Sequence, residues 1–185
     1  MADGTPRVDP ELRRWVAQRM VMDADLVCRA REDPNTYVEA CGRIEAGQWA
    51  GKQCGAHRMM QDHLTRASNQ PGASTALVLA PVGAAKSTQV TRWRVEWEVG
   101  KNVNLRVLLM SATSQLPESI LSGIKGDITD NPFVQAVFPH LRPGRKLGQS
   151  DWSSDRIHVN RSDNLADPTI QCAGLTSKIL GKRLD

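Results

Sequence analysis

The chain has 185 residues, of which 40% are hydrophobic and 24% are charged, a composition typical of a folded domain and not of a disordered segment. Its uncharged apolar run, residues 76–85, is far shorter than the roughly 18 residues that span a bilayer, and residues 1–9 contain no apolar leader. We therefore expect a cytoplasmic protein without a membrane partner. The net charge of +4 lies wholly in residues 76–185, where an anionic partner and an ordinary solvated face explain it equally well.

The N-terminal part of the chain has the pattern of helices. Asp9-Pro10 supplies an N-cap and a proline at the first helical position, and the apolar residues that follow extend the predicted helix through Val27. Asp33-Pro34 repeats this start signal for a second helix, which Gly42 is placed to end. A third helix is predicted at 57–67.

The pattern changes after a turn cluster at 68–72. Residues 75–80 are a short continuous apolar run, which is typical of a strand buried on both faces of a parallel sheet. A helix is predicted at 87–99 and a second apolar strand at 105–110, and the three elements would form a βαβ unit. This order predicts an α/β fold with a mostly parallel sheet flanked by helices.

Shorter elements complete the prediction. They are helices at 117–128 and 132–137, the second begun by Asn131-Pro132, and strands at 156–160 and 169–173. We divide the chain into an N-terminal helical segment, residues 1–68, and an α/β domain, residues 69–185.

The segment between the first predicted strand and its helix has the composition of a phosphate-binding loop. Such a loop needs backbone N–H groups that converge on phosphate oxygens, a lysine that reaches the β and γ phosphates, and a hydroxyl for Mg²⁺. Gly83, Lys86 and Ser87 supply these groups. Against the usual template G-x-x-x-x-G-K-[ST], however, Ala80 and Ala85 occupy the glycine positions, and because alanine resists positive φ we expect a variant backbone path. An ordinary strand-to-helix turn is the alternative.

Other candidate residues give weaker signals. The cysteines and histidines match neither a closed zinc pattern nor a hydrolase triad, so we expect free thiols. Trp93 and Trp97, four apart on an apolar stripe, are predicted to lie in the core rather than to stack on bases. Arg92, Arg94 and Arg106 are candidate phosphate or DNA contacts.

Three segments of the chain occur in an order found in a known family. The first segment is residues 81–88, P-V-G-A-A-K-S-T. The second is residues 111–134, which start with S-A-T-S-Q-L-P-E, and the third is residues 167–185, which start with D-P-T-I-Q-C-A-G. The first is similar to the deviant Walker A motif of large terminase subunits from tailed bacteriophages. The second resembles the strand, helix and N-P segment after that motif, and the third is similar to the segment that leads into the Walker B strand.

The resemblance implies a P-loop NTPase-type domain that binds ATP with Mg²⁺ and hydrolyses ATP to move double-stranded DNA into a capsid. Lys86 would neutralise the β and γ phosphates, and Ser87 would bind Mg²⁺ on the nucleotide. The amides of four further loop residues would surround the phosphates, namely Gly83, Ala84, Ala85 and Thr88. Pro81, which has no N–H, would also line the site.

The same resemblance implies a portal protein and a small terminase subunit as partners, the host cytoplasm as location, and a homo-oligomer on the capsid for the full-length protein. Val82 departs from the family, in which many members carry arginine. The chain also ends before the expected Walker B acids and the nuclease domain. We therefore expect nucleotide binding with negligible ATPase activity. Whether the chain is an enzyme stays open. A sheet without the acidic strand would leave a strand edge unpaired.

Two other functions stay open. The first is a nucleotide-independent DNA-binding or assembly module with a degenerate loop, which Ala80, Ala85 and the missing acidic strand favour. The second is another P-loop protein such as a small kinase, which would leave residues 167–185 unexplained.

Overall fold

The computed structural model describes residues 8–48, 52–144, 152–163 and 166–175, which form a mixed α/β fold. The α-helices are α1 Pro10–Val21, α2 Ala24–Glu32, α3 Pro34–Glu45, α4 Gly55–Ser68, α5 Val95–Lys101, α6 Gln115–Asp130 and α7 Pro132–Val137. A π-helix, Ser87–Arg94, continues directly into α5, and the strands are β1 Val107–Ser111, β2 Arg156–Ile157 and β3 Ile170–Gly174. Each described helix is too short or too polar to pass through a bilayer.

Aspartate side chains cap the starts of the N-terminal helices. Asp9 accepts a hydrogen bond from the first turn of α1 at 2.9 Å, and Asp33 caps α3, which confirms the start signals of the Asp-Pro pairs. The prediction of one helix through Val27 is wrong, because Asp23 accepts a hydrogen bond from the N–H of Leu26 and begins α2. An N-cap inside an apolar periodic pattern ends one helix and starts another without disturbing the pattern.

The end of α3 also differs from the prediction. The helix continues past Gly42 to Glu45, and a Cβ at Gly42 would lie 3.8 Å from the ring of Trp93. Gly42 therefore lies where α3 packs against the π-helix rather than where α3 stops. The left-handed turn that commonly follows a helix is supplied by Gly47, at φ +64°.

The sheet is small and mixed, with the strand order β1-β3-β2. β1 runs parallel to β3, with Val107 opposite Ile170, whereas β2 runs antiparallel to β3. α6 packs on both β1 and β3. The α/β class is confirmed in this coarse form, and the predicted strands at 105–110, 156–160 and 169–173 overlap β1, β2 and β3.

The prediction of a strand buried on both faces at 75–80 is wrong. These residues pair with no strand of the described chain, so the predicted βαβ unit with β1 does not form. The side chains of Leu77 and Leu79 are 72% and 84% exposed, whereas Ala76 and Val78 are half-buried. A continuous apolar run is compatible with burial on both faces, but burial also needs a neighbouring strand on each side.

A single core joins the N-terminal helices to the rest of the chain. The ring of Tyr37 in α3 lies 5.6 Å from that of Phe138, measured between centroids. Trp97 donates a hydrogen bond from Nε1 to the carbonyl of Ala30 in α2 at 3.0 Å. Trp93 and Trp97 are both buried, as predicted, so the stretch that follows the candidate loop is packed on α3 and α6.

Candidate functional site

The candidate phosphate-binding loop contains two residues in the left-handed region. Gly83 has φ +84° and Ala85 has φ +50°, and Ala85 is the one non-glycine residue with positive φ in the described chain. Ala85 occupies the second glycine position of the phosphate-loop template, where the sequence led us to expect a different backbone path. Ala85 nevertheless adopts the conformation that glycine adopts more easily, at a cost of about 1 kcal/mol.

Lys86 folds back over the loop. Its ammonium group donates a hydrogen bond from Nζ to the carbonyl oxygen of Pro81 at 3.2 Å. The N–H of Ala84 donates to the same oxygen at 3.3 Å, which closes a tight turn. The positive charge of the side chain is thus held across the turn, beside the start of the following helix.

The helix that starts after the loop has no side-chain cap. No side chain accepts a hydrogen bond from the first N–H groups of the π-helix, and the first turn of this helix has no acidic residue. The helical stretch that begins at Ser87 continues to Lys101, so a helix dipole of ordinary length has its positive end at the loop. Uncapped N–H groups at such an end favour anions, and π-helical turns frequently lie at functional sites.

Helix α4 supports the loop from the other side. His57 donates a hydrogen bond from Nε2 to the carbonyl of Ala84 at 3.0 Å, a carbonyl being able only to accept. The buried side chain of Gln61 donates to the carbonyl of Gln89 at 2.9 Å, and Gln53 donates to the side-chain oxygen of Gln89 at 2.9 Å. These supports could not be predicted from sequence, because polar residues on an amphipathic helix usually face solvent.

Two arginines that the sequence marked as phosphate or DNA contacts are bound inside the protein. Arg92 forms an ion pair with Asp127 at 2.7 Å. Arg94 is buried, pairs with Glu98 at 2.7 Å, and lies 5.2 Å from the centroid of the Trp97 ring. In this structure neither guanidinium is directed to an external phosphate. Within the described residues, no group of three His, Cys, Asp or Glu side chains could hold a metal ion.

A buried acidic network lies at the middle of the same helical stretch. Glu96 is fully buried and accepts a hydrogen bond at Oε2 from the hydroxyl of Tyr37 at 3.0 Å. Its other oxygen, Oε1, has no donor within reach, and Asp127, already paired with Arg92, is the neighbouring carboxylate. Burial, together with the charge of Asp127, raises the pKa of Glu96 well above its usual value. A protonated Glu96 can donate to Asp127 and so gives Oε1 a partner.

No family model, no curated protein and no solved structure matches this chain. The resemblance to large terminase subunits therefore stays a prediction. The candidate site is the loop itself, in which Gly83, Ala85 and Lys86 lie at an uncapped helix start.

Replacing Ala85 by glycine should stabilise the protein by no more than about 0.5 kcal/mol, because relief of the steric penalty of about 1 kcal/mol is offset by the freedom that glycine adds to the unfolded chain. Ala84, whose φ is not positive, is the matched control, and Ala84→Gly should destabilise by about 0.5–1 kcal/mol because it adds only that freedom. Urea unfolding of the three proteins measures both changes. Equal destabilisation by the two substitutions would show that Ala85 is not strained.

Replacing Glu96 by glutamine should remove a pH dependence of stability. Because the pKa of Glu96 is raised in the folded state, its contribution to the free energy of unfolding is fully present below the unfolded pKa of about 4.3. This contribution is lost as pH rises through the folded pKa, and the free energy of unfolding falls by at most about 1.4 kcal/mol per pH unit. Glutamine donates to Asp127 and accepts from Tyr37 without titrating. The free energy of unfolding of the native protein should therefore fall relative to that of Glu96→Gln from pH 5 upward.

Other groups facing this carboxyl titrate as well. Burial raises the pKa values of Tyr37 and Cys41, whereas Arg92 stays charged. Burial is the largest cause of both raised pKa values and is present in both proteins. Tyr37 and Cys41 therefore stay neutral in the folded state between pH 5 and pH 9, and the difference between the native protein and Glu96→Gln reports Glu96. A difference that stays constant between pH 5 and pH 9 would contradict the buried proton.

Proposed function

We propose that this chain binds the phosphates of ATP at residues 81–88. The observation that carries the proposal is the left-handed conformation of Ala85 next to Lys86, at an uncapped helix start. A strained residue persists only where its surroundings determine it, and such residues concentrate at ligand sites. The three features together favour an anion, because the loop, the helix dipole and the ammonium group all present positive charge.

Each loop residue has a role in this proposal. Lys86 exchanges its hydrogen bond with the Pro81 carbonyl for the β and γ phosphates of the nucleotide. Ser87 is exposed and supplies its hydroxyl to the Mg²⁺ that accompanies ATP. The amides of Gly83, Ala84, Ala85 and Thr88 donate to phosphate oxygens, for which the N–H of Ala84 gives up its weak 3.3 Å hydrogen bond within the turn.

The broader function we propose is that of the ATP-binding part of a viral DNA-packaging motor. In this role ATP hydrolysis in the complete motor translocates double-stranded DNA into a capsid, with a portal protein and a small terminase subunit as partners. The resemblance at residues 81–88, 111–134 and 167–185 supports this assignment. The parallel pairing of β1 with β3, covered by α6, is compatible with a P-loop NTPase-type sheet.

A second candidate is a nucleotide-independent DNA-binding or assembly module. The observation that favours it is the absence of a paired strand before the loop, since residues 75–80 are extended without a partner in the described chain. A phosphate loop on an unpaired segment lacks the rigid anchor that a sheet provides. The two candidates differ in one measurable property, the affinity for nucleotide.

Isothermal titration with a non-hydrolysable ATP analogue and Mg²⁺ should detect binding that falls at least tenfold in Lys86→Ala. The lost interaction is the charge-assisted contact of the ammonium group with phosphate. Lys101→Ala is the matched control, because it removes one lysine at the far end of the same helical stretch, where the ion pair with Glu32 is largely exposed. Hydrolysis of ATP should be negligible in all three proteins.

Two results would overturn this proposal. Absence of heat at millimolar analogue would favour the nucleotide-independent module. Equal affinity in the native protein and Lys86→Ala would place the nucleotide elsewhere on the chain.

A further inference from the structure

Residues 75–80, with the sequence T-A-L-V-L-A, lie outside the helices and strands of the described chain. No backbone hydrogen bond joins them to another described residue. The segment contains no charge and no proline, and Pro81 follows it directly. Unpaired N–H and C=O groups beside apolar side chains form a template for pairing with another strand.

The two faces of this segment differ. Leu77 and Leu79 are 72% and 84% exposed and lie on one face, whereas Val78 lies on the other face and is half-buried against the protein. This alternation is that of an extended strand, in which successive side chains point to opposite sides. The outward face, formed by Leu77 and Leu79, is therefore apolar and exposed, whereas the inward face is half-buried.

We propose that residues 75–80 of one protomer pair antiparallel with the same residues of a second copy, about a two-fold axis at Val78. This register places Leu77 of one protomer opposite Leu79 of its partner, and the reverse. Directly opposed residues of an antiparallel pair point to the same face, so the leucines of the two protomers form one apolar cluster. The leucines of the two protomers then contact one another along one face of the pair, and the free backbone groups on one edge of each strand gain partners.

A second copy fits this edge because the segment is complementary to itself. A two-fold interface brings the same patch together from both sides, and an uncharged patch meets its copy without repulsion. A partner strand with charged residues would place them against Leu77 and Leu79. Pro81, which has no N–H, limits the length of the pairing. Because the paired segment is much smaller than a standard interface, we expect weak and reversible association.

Sedimentation velocity of the full chain from about 10 μM to about 1 mM should show a reversible equilibrium between monomer and dimer. Leu79→Lys places a charge in the leucine cluster and should weaken dimerisation at least tenfold. Met59→Lys is the matched control, because Met59 on α4 is 72% exposed and the substitution changes the net charge equally. Amide hydrogen exchange at high concentration should protect alternate amides of residues 75–80, since every second N–H faces the partner.

Three results would overturn the pairing. They are a monomer up to the highest concentration, an equal loss of association in Met59→Lys, and open-ended aggregates in place of a closed dimer. The experiment contains no nucleotide, so its failure leaves the phosphate-loop proposal untouched.

Discussion

The buried carboxyl of Glu96 and the half-buried carboxyl of Asp127 lie near the guanidinium of Arg92. Arg92 pairs with Asp127, whereas burial raises the pKa of Glu96 and so favours its protonated form, and the hydroxyl of Tyr37 donates to one of its oxygens. This network connects α3, α6 and the continuous stretch made of the π-helix and α5. The helical stretch that begins at the candidate loop is therefore fixed at its middle by interactions that are expensive to break.

The same stretch is also constrained at its start. A left-handed alanine costs free energy, and hydrogen bonds from α4 to the carbonyls of Ala84 and Gln89 hold the backbone on both sides of Ala85. The loop is thus held in its conformation without a ligand. A binding loop that is ordered in advance loses little conformational freedom when phosphate arrives, which favours affinity. The proposed function depends on this connection between packing of the N-terminal helices and geometry of the loop.

Much of the local structure could be predicted from sequence, because its causes are local. The Asp-Pro pairs locate the starts of α1 and α3, and the apolar run at 105–110 locates β1. The cap at Asp23 was missed because it does not interrupt the apolar pattern. The π-helical winding has no sequence signal of its own. The exposure of residues 75–80 was missed because burial of a strand depends on neighbours that lie elsewhere in the chain.

The candidate site shows the same division. The loop residues follow from a motif, whereas the supports at His57 and Gln61 depend on how α4 packs, which periodicity does not specify. The conformation of Ala85 contradicts its intrinsic preference, because tertiary hydrogen bonds on either side outweigh a penalty of about 1 kcal/mol. Prediction fails here at the positions where tertiary contacts override local propensity, and these positions support the proposed site.

In the proposed site, the backbone amides of the loop receive phosphate. The most direct measurement is a ¹H–¹⁵N correlation spectrum of the labelled protein, recorded while Mg-ADP is added. The amide signals of Gly83, Ala84, Ala85 and Thr88 should shift most and saturate together, while signals from α1 and α7 stay in place. Saturating shifts confined to another part of the chain, or no shift at millimolar nucleotide, would contradict it.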